Sequence, residues 1–212
     1  MTDQATADGL AEWNAFLRWP ASSMDGARLD ACFDNELGTA LCDRLKATAR
    51  LQDRLASVIS AHYALPPLVD PAAVSEIDQA IVLLPGPQLA AVARRSGTIY
   101  WANAIANVIL APQVEALHQQ VGEELCNFAL AHRDLAGPES ALGSLKDIGA
   151  RIEGDGWRCL AAWCRALPGG LGTRVRLKLP TIEALDVVPA LPFFDSGPPI
   201  VRRAATADGV PG

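Results

Sequence analysis

From Leu83 to His132 the chain reads LLPGPQLAAVARRSGTIYWANAIANVILAPQVEALHQQVGEELCNFALAH, a stretch dense in alanine, leucine, isoleucine and valine. Ionisable side chains within it are few and scattered. Val114, Leu117, Val121, Leu125 and Phe128 recur at the three- and four-residue spacing that lines one face of a helix. Such a segment is confined to packed helices. It offers no constellation of reactive groups, so the work of the chain is expected on its outer surface, in holding other proteins.

The rest of the sequence extends that reading. Half of the 212 residues are hydrophobic and 20% are charged, enough for a sizeable core. Alanine and leucine dominate while β-branched and aromatic residues are sparse, which favours helix over sheet. The expected fold is mainly α: a compact multi-helix single domain over residues 10–185. A flexible N-terminus (residues 1–9) precedes it, and a Pro-rich, disordered tail (residues 186–212) follows. One segment stays open. Val175, Leu177 and Leu179 alternate with Arg174, Arg176 and Lys178, the period of a strand, and a short helix competes. The fold class therefore includes one short strand or extended segment near the C-terminus.

Proline and glycine supply the punctuation. Asn35–His62 reads as one long helix, capped by Asp34 or Asn35, whose leucine stripe slips phase once. Asp70–Pro71 opens a helix that reaches Leu84. After Pro85–Gly86–Pro87, helices are expected over Pro87–Arg95, Thr98–Leu110 and Pro112–His132, with Gly97 and Ala111–Pro112 as separators. Ser140–Ile152 and Trp157–Leu167 flank Gly154–Asp155–Gly156, read as a kink or a cap, and Pro168–Gly169–Gly170 stops the last of them.

Charge and residue chemistry exclude several classes. A formal net charge of −6 gives no electrostatic reason to bind nucleic acid or an anionic membrane. The cysteines (Cys32, Cys42, Cys126, Cys159, Cys164) are odd in number and form no CxxC, which points to a reducing compartment. No secretory signal opens the chain, and no apolar run approaches the roughly 20 residues of a spanning helix. The expected location is cytoplasmic, without membrane insertion. His62, His118 and His132 share no ligand spacing with one another or with a cysteine. No metal, no cofactor and no catalytic residue is assigned. An enzyme assembled from distant groups would draw on Arg94, Tyr100, His118 and Glu123. Two candidate partner-binding sets remain. Trp13, Phe16 and Trp19 lie on a short amphipathic segment, and tryptophan anchors many interfaces. Arg174, Arg176 and Lys178 form the one compact basic cluster, a docking stripe for an acidic surface or an ordinary solvated face.

Four segments together resemble the SctK (YscK/OrgA-like) accessory proteins of bacterial type III secretion systems. The first is Phe16–Leu17–Arg18–Trp19–Pro20–Ala21 with Met24–Asp25 and Arg28–Leu29. The second is Leu83–Leu84–Pro85 with Leu89 to Arg94, Gly97 and the helix Ile99–Leu110. The third is Val114–Glu115–Ala116–Leu117 running into Gly122–Glu123–Glu124–Leu125 and Phe128–Ala129–Leu130. The fourth is Asp155–Gly156–Trp157 with Ala166–Leu167–Pro168 and Arg176 to Pro180. The resemblance spans residues 15–182 and leaves out the stretch after Asp186. It implies a non-enzymatic, cofactor-free adaptor of the injectisome's sorting platform. Such a protein links an SctD-like ring protein to an SctQ-like pod protein and associates peripherally with the inner-membrane complex at its cytoplasmic face. The alternative is a cytoplasmic secretion chaperone or a regulatory helical protein-binding module.

Overall fold

Helix formation here is governed by how each helix ends. The computed structural model describes residues 2–67, 73–138 and 145–206, the side chains of residues 2–8 and 145 excepted. Among the described residues there are thirteen α-helices, joined by 3-10 turns, and no strand. The mainly α expectation holds. The strand-like alternation at Thr173–Leu179 does not make a strand: Leu171–Arg176 is a helix. Contacts group the chain into two compact units. The first comprises Met1–Leu89 with Leu167–Thr181, and the second Ala90–Ala166 with Ile182–Gly212.

In the first unit α1 (Thr2–Arg18) is followed by a 3-10 turn at Pro20–Ser23 and by α2 (Gly26–Ala31). The helix begins at Thr2, inside the stretch expected to be flexible. Asp25 caps α2, its carboxylate accepting from Ala27 N at 3.0 Å and Arg28 N at 3.3 Å, a cap worth about 1 kcal/mol. The single helix expected over 35–62 is two: α3 (Thr39–Ala47) and α4 (Gln52–His62), joined by the 3-10 turn Ala49–Leu51. The phase slip in the leucine stripe marks this break. Gln52 explains why the break is stable. Its buried amide donates to Lys46 O at 2.8 Å, so a carbonyl orphaned at the end of α3 is satisfied. Asp34 and Asn35 do not cap α3. They hold left-handed φ of 56° and 62°, which Asp and Asn tolerate better than other side chains, and Gly38 takes the cap position. The core of the unit gathers Ala21, Met24, Leu29, Cys42, Leu55, Ile59 and Leu177.

α5 (Glu76–Leu83) starts later than Asp70–Pro71, a pair outside the described residues. Ser75 is its cap, accepting from Asp78 N and donating to Asp78 Oδ2 at 2.7 Å. α6 (Gly86–Tyr100) then runs unbroken through Gly97. The remaining piece of the first unit is the 3-10 turn Pro168–Gly170, with Gly169 and Gly170 at positive φ, leading into α11 (Leu171–Arg176). The glycines there are a helix stop and a turn, as the sequence indicates.

The second unit takes α6 from Ala90 onward, then α7 (Ala102–Ala106), α8 (Ala111–Val121), α9 (Glu123–Ala131), α10 (Ile148–Ala166), α12 (Glu183–Asp186) and α13 (Leu191–Thr206). Gly122 divides the helix expected over 112–132, because its φ of 101° is open to glycine and strained for other residues. Gly154–Asp155–Gly156 is neither kink nor cap but the interior of α10. The reason is a close crossing. A Cβ on Gly97 would collide with the Ile152 carbonyl oxygen, and one on Gly156 with the Ala93 carbonyl oxygen. The glycines let the α6 and α10 backbones approach. Trp101, Ile105, Leu117, Val121, Cys126, Ile148 and Ile152 belong to the core beside that crossing.

Of the tail expected to be disordered (residues 186–212), Leu191–Thr206 forms α13, which packs along α10, and residues 207–212 lie outside the described residues. Proline content misleads here because Pro198 is buried inside the helix. Phe193, Ile200, Val201 and Ala204 are also buried. Phe193 stacks on Tyr100 with centroids 4.7 Å apart. Buried apolar faces of this kind stabilise by roughly 2 kcal/mol per large side chain, enough to offset the backbone bonds that proline removes.

Candidate partner-docking surfaces

The residues singled out from sequence are mostly interior in the folded chain. Trp13 is 2% exposed and Phe16 6%, their rings 6.3 Å apart. Trp19 keeps partial exposure, its indole N–H donating to Asp53 Oδ1 at 3.1 Å. These bonds to Trp19, with Arg18 beside them, hold the Asp53 carboxyl below its ordinary pKa.

The basic cluster is likewise no open stripe. Lys178 is 7% exposed. Its ammonium donates to Val82 O at 2.7 Å and Leu84 O at 3.0 Å and lies 4.5 Å from the centre of the Phe16 ring. Burial depresses its pKa to about 8, with Glu12 opposing the shift. Arg174 is buried and donates to Pro66 O at 3.0 Å. Arg176 keeps partial exposure and reaches Thr173 Oγ1 at 3.5 Å. A cation at the end of α5 satisfies the carbonyls that no further turn can bond, and it complements the negative end of the helix dipole.

The same kind of contact recurs at arginines outside the sequence-derived partner sets. Arg94 Nη2 donates to Val121 O at the end of α8 (3.3 Å), and Arg95 Nη1 to Ala204 O in the last turn of α13 (3.0 Å). Arg28 Nε donates to Leu179 O at 2.6 Å and its Nη2 to Pro180 O at 3.1 Å. Sequence reasoning missed these roles because every carbonyl partner is remote along the chain.

The residues proposed for an assembled enzyme site divide. His118 and Glu123 line one open groove with Ile109 and Val114, whereas Arg94 lines a separate small cavity with Gln120 and Glu153. Tyr100 is half-buried and stacked on Phe193, and burial raises its pKa. The five cysteines are free thiols. Burial pushes Cys32 up to about 11 and also raises Cys42, Cys126 and Cys159, so little thiolate forms at neutral pH. No group of three or more metal-donor side chains is found among the described residues.

What the surface does present is apolar. In the first unit Phe33, Leu37, Leu41, Leu45, Leu51 and Val58 wall a groove of roughly 340 Å³. In the second unit Ile109 is 83% exposed beside Leu110, and Leu191 is 81% exposed near Val187 and Val188. Val187 and Val188 line a further groove with Ile182, Phe193 and the charged residues Arg158 and Glu183. Exposed apolar clusters of this kind mark interaction sites.

The family profile described as "YOP proteins translocation protein K (YscK)" matches residues 14–197. The chain belongs to the YscK family. The match runs into α13, past the limit of 182 read from the sequence. Nodulation protein NolU of Rhizobium fredii is 29% identical over 166 residues, which is 78% of this chain and 74% of that protein. Nodulation protein NolU of Sinorhizobium fredii matches with the same identity and coverage. No solved structure matches the chain. As a YscK-family member the chain is a type III secretion component, in a family of secretion-apparatus proteins that is not a known enzyme family. Membership implies interaction with other proteins of that apparatus. Among the described residues no helix of this YscK-family chain is long and apolar enough to cross a membrane.

Proposed function

We propose that this chain is a non-enzymatic cytoplasmic adaptor of the type III secretion sorting platform. It bridges an SctD-like inner-membrane ring protein and an SctQ-like pod protein, at the cytoplasmic face of the secretion apparatus. The observation that carries the reading is that each unit has an apolar surface of its own: the leucine groove around α3 and α4 in one, and exposed Ile109, Leu110, Val187, Val188 and Leu191 in the other. A bridge needs two such faces, each able to cover about 800 Å² per partner. YscK-family membership supplies the setting.

The burial of Trp13, Phe16, Arg174 and Lys178 shifts the expected contacts. Of the sequence-derived set, Trp19 and Arg176 retain surface, and they are proposed to sit at the rims of interfaces whose centres are the apolar grooves. Co-expression of the chain with the ring protein's cytoplasmic domain and with the pod protein tests the reading. Retention of each partner on the tagged chain is the expected result, and failure to retain either one overturns it.

A further inference from the structure

We propose that the groove between α3 and α4 seats an acidic amphipathic helix contributed by another protein of the secretion apparatus. The inference deepens the adaptor reading and rests on it, since it names the chemistry of one partner. Leu37, just ahead of α3, repeats at intervals of four with Leu41 and Leu45, and these line the groove together with Phe33, Leu51 of the 3-10 turn, and Leu55 and Val58 of α4. A surface groove lined by leucines at helical spacing on the outer side of the unit's core fits the helix-in-groove mode of recognition. In that mode the guest inserts apolar side chains at i, i+3 or i+4, and i+7. Leu41 is exposed, so the trough reaches solvent and is not a sealed core.

Charge selects the guest. Along the two helices the acids are already engaged: Asp43 pairs with Lys46 at 3.1 Å, and Asp53 with Arg18 at 3.3 Å and the Trp19 indole at 3.1 Å. Arg44, Arg50 and Arg54 are exposed and make no ion pair among the described residues, and Arg54 itself lines the groove. These are positive charges in excess on a chain whose net charge is −6. Asp34 and Glu36, also exposed, stand next in sequence to Phe33 and Leu37. The guest therefore carries its acidic residues on the part that lies along Arg54. A lysine-rich helix meets those arginines as like charges and is disfavoured.

Two synthetic helical peptides with the same leucine ridge, one flanked by glutamate and one by lysine, test this against the full chain by fluorescence anisotropy. The glutamate peptide is expected to bind about tenfold more tightly than the lysine peptide at low salt. Leu41→Glu is expected to weaken it by about tenfold or more, Leu41→Ser by less, and Arg54→Glu to erase or reverse the preference between the peptides. Both altered positions are exposed, and thermal melts confirm that the variants fold. Equal binding of the two peptides, binding of neither, indifference to Leu41→Glu, or self-association of the chain through Leu41 in sedimentation would each overturn the proposal. A groove that fails this test while ring and pod proteins are both retained removes the acidic guest and leaves the adaptor. A groove that passes while either partner is lost removes the adaptor alone.

Discussion

Gly97 and Gly156 face each other across the α6–α10 crossing so closely that the Cβ of an alanine at either place would overlap backbone of the opposite helix. The obstacles are carbonyl groups of Ile152 and Ala93, which cannot swing aside as a side chain can. Gly97→Ala and Gly156→Ala are each expected to cost about 3 kcal/mol, the upper part of the usual range for overpacking. Urea unfolding measures this. Gly122→Ala serves as the comparison. Nothing lies within 4 Å of its Cβ position, so its cost of about 1–3 kcal/mol comes from the positive-φ, extended backbone alone.

Lys178→Met removes the donor that satisfies Val82 O and Leu84 O and is expected to cost about 1–3 kcal/mol at neutral pH. The variant also changes the pH dependence. In the folded chain Lys178 titrates near 8, against an ordinary value of 10.5. Between those values the unfolded chain binds the more protons, so the group's contribution to stability rises with pH across the window. Below pH 8 lysine is charged in both states and the contribution is flat. Denaturation at pH 7 and at pH 10 is expected to show the wild type gaining on Lys178→Met at the higher pH. Parallel behaviour would contradict the assigned burial.

Phe193→Ala tests whether α13 belongs to the second unit's core. Phe193 is 8% exposed and stacks on Tyr100. Its loss is expected to lower stability by about 3 kcal/mol, with a matching change in tyrosine near-ultraviolet dichroism. A tail outside the core would tolerate the change within about 0.5 kcal/mol.

Glycine and proline show how much of the fold could be read in advance. Pro85 and Pro168 stop helices as their chemistry requires, and Gly122 breaks one. Gly97, Gly154 and Gly156 look the same in sequence and break nothing, because two of them serve a crossing whose other half is more than fifty residues away. Pro198 and Pro199 suggest disorder, yet the apolar positions around them bury against α10. Local rules govern a residue until a distant surface supplies a stronger reason.

The same limit applied to the candidate site. Arg174, Arg176 and Lys178 form a visible cluster, but whether a cation faces solvent or closes a helix end depends on where Pro66, Val82 and Leu84 lie in space. The leucines of α3 and α4 were legible as a stripe. Their division between two helices was visible only as a slip in phase, and the groove takes its lining from both sides of the turn held by Gln52.

The adaptor reading stands or falls on simultaneous occupancy. Sedimentation velocity on the purified chain mixed with the ring protein's cytoplasmic domain and the pod protein measures it directly. The account predicts a species heavier than either pairwise complex, containing all three proteins and formed whichever partner is added first. Two pairwise complexes that displace one another, with no heavier species at any ratio, would contradict it.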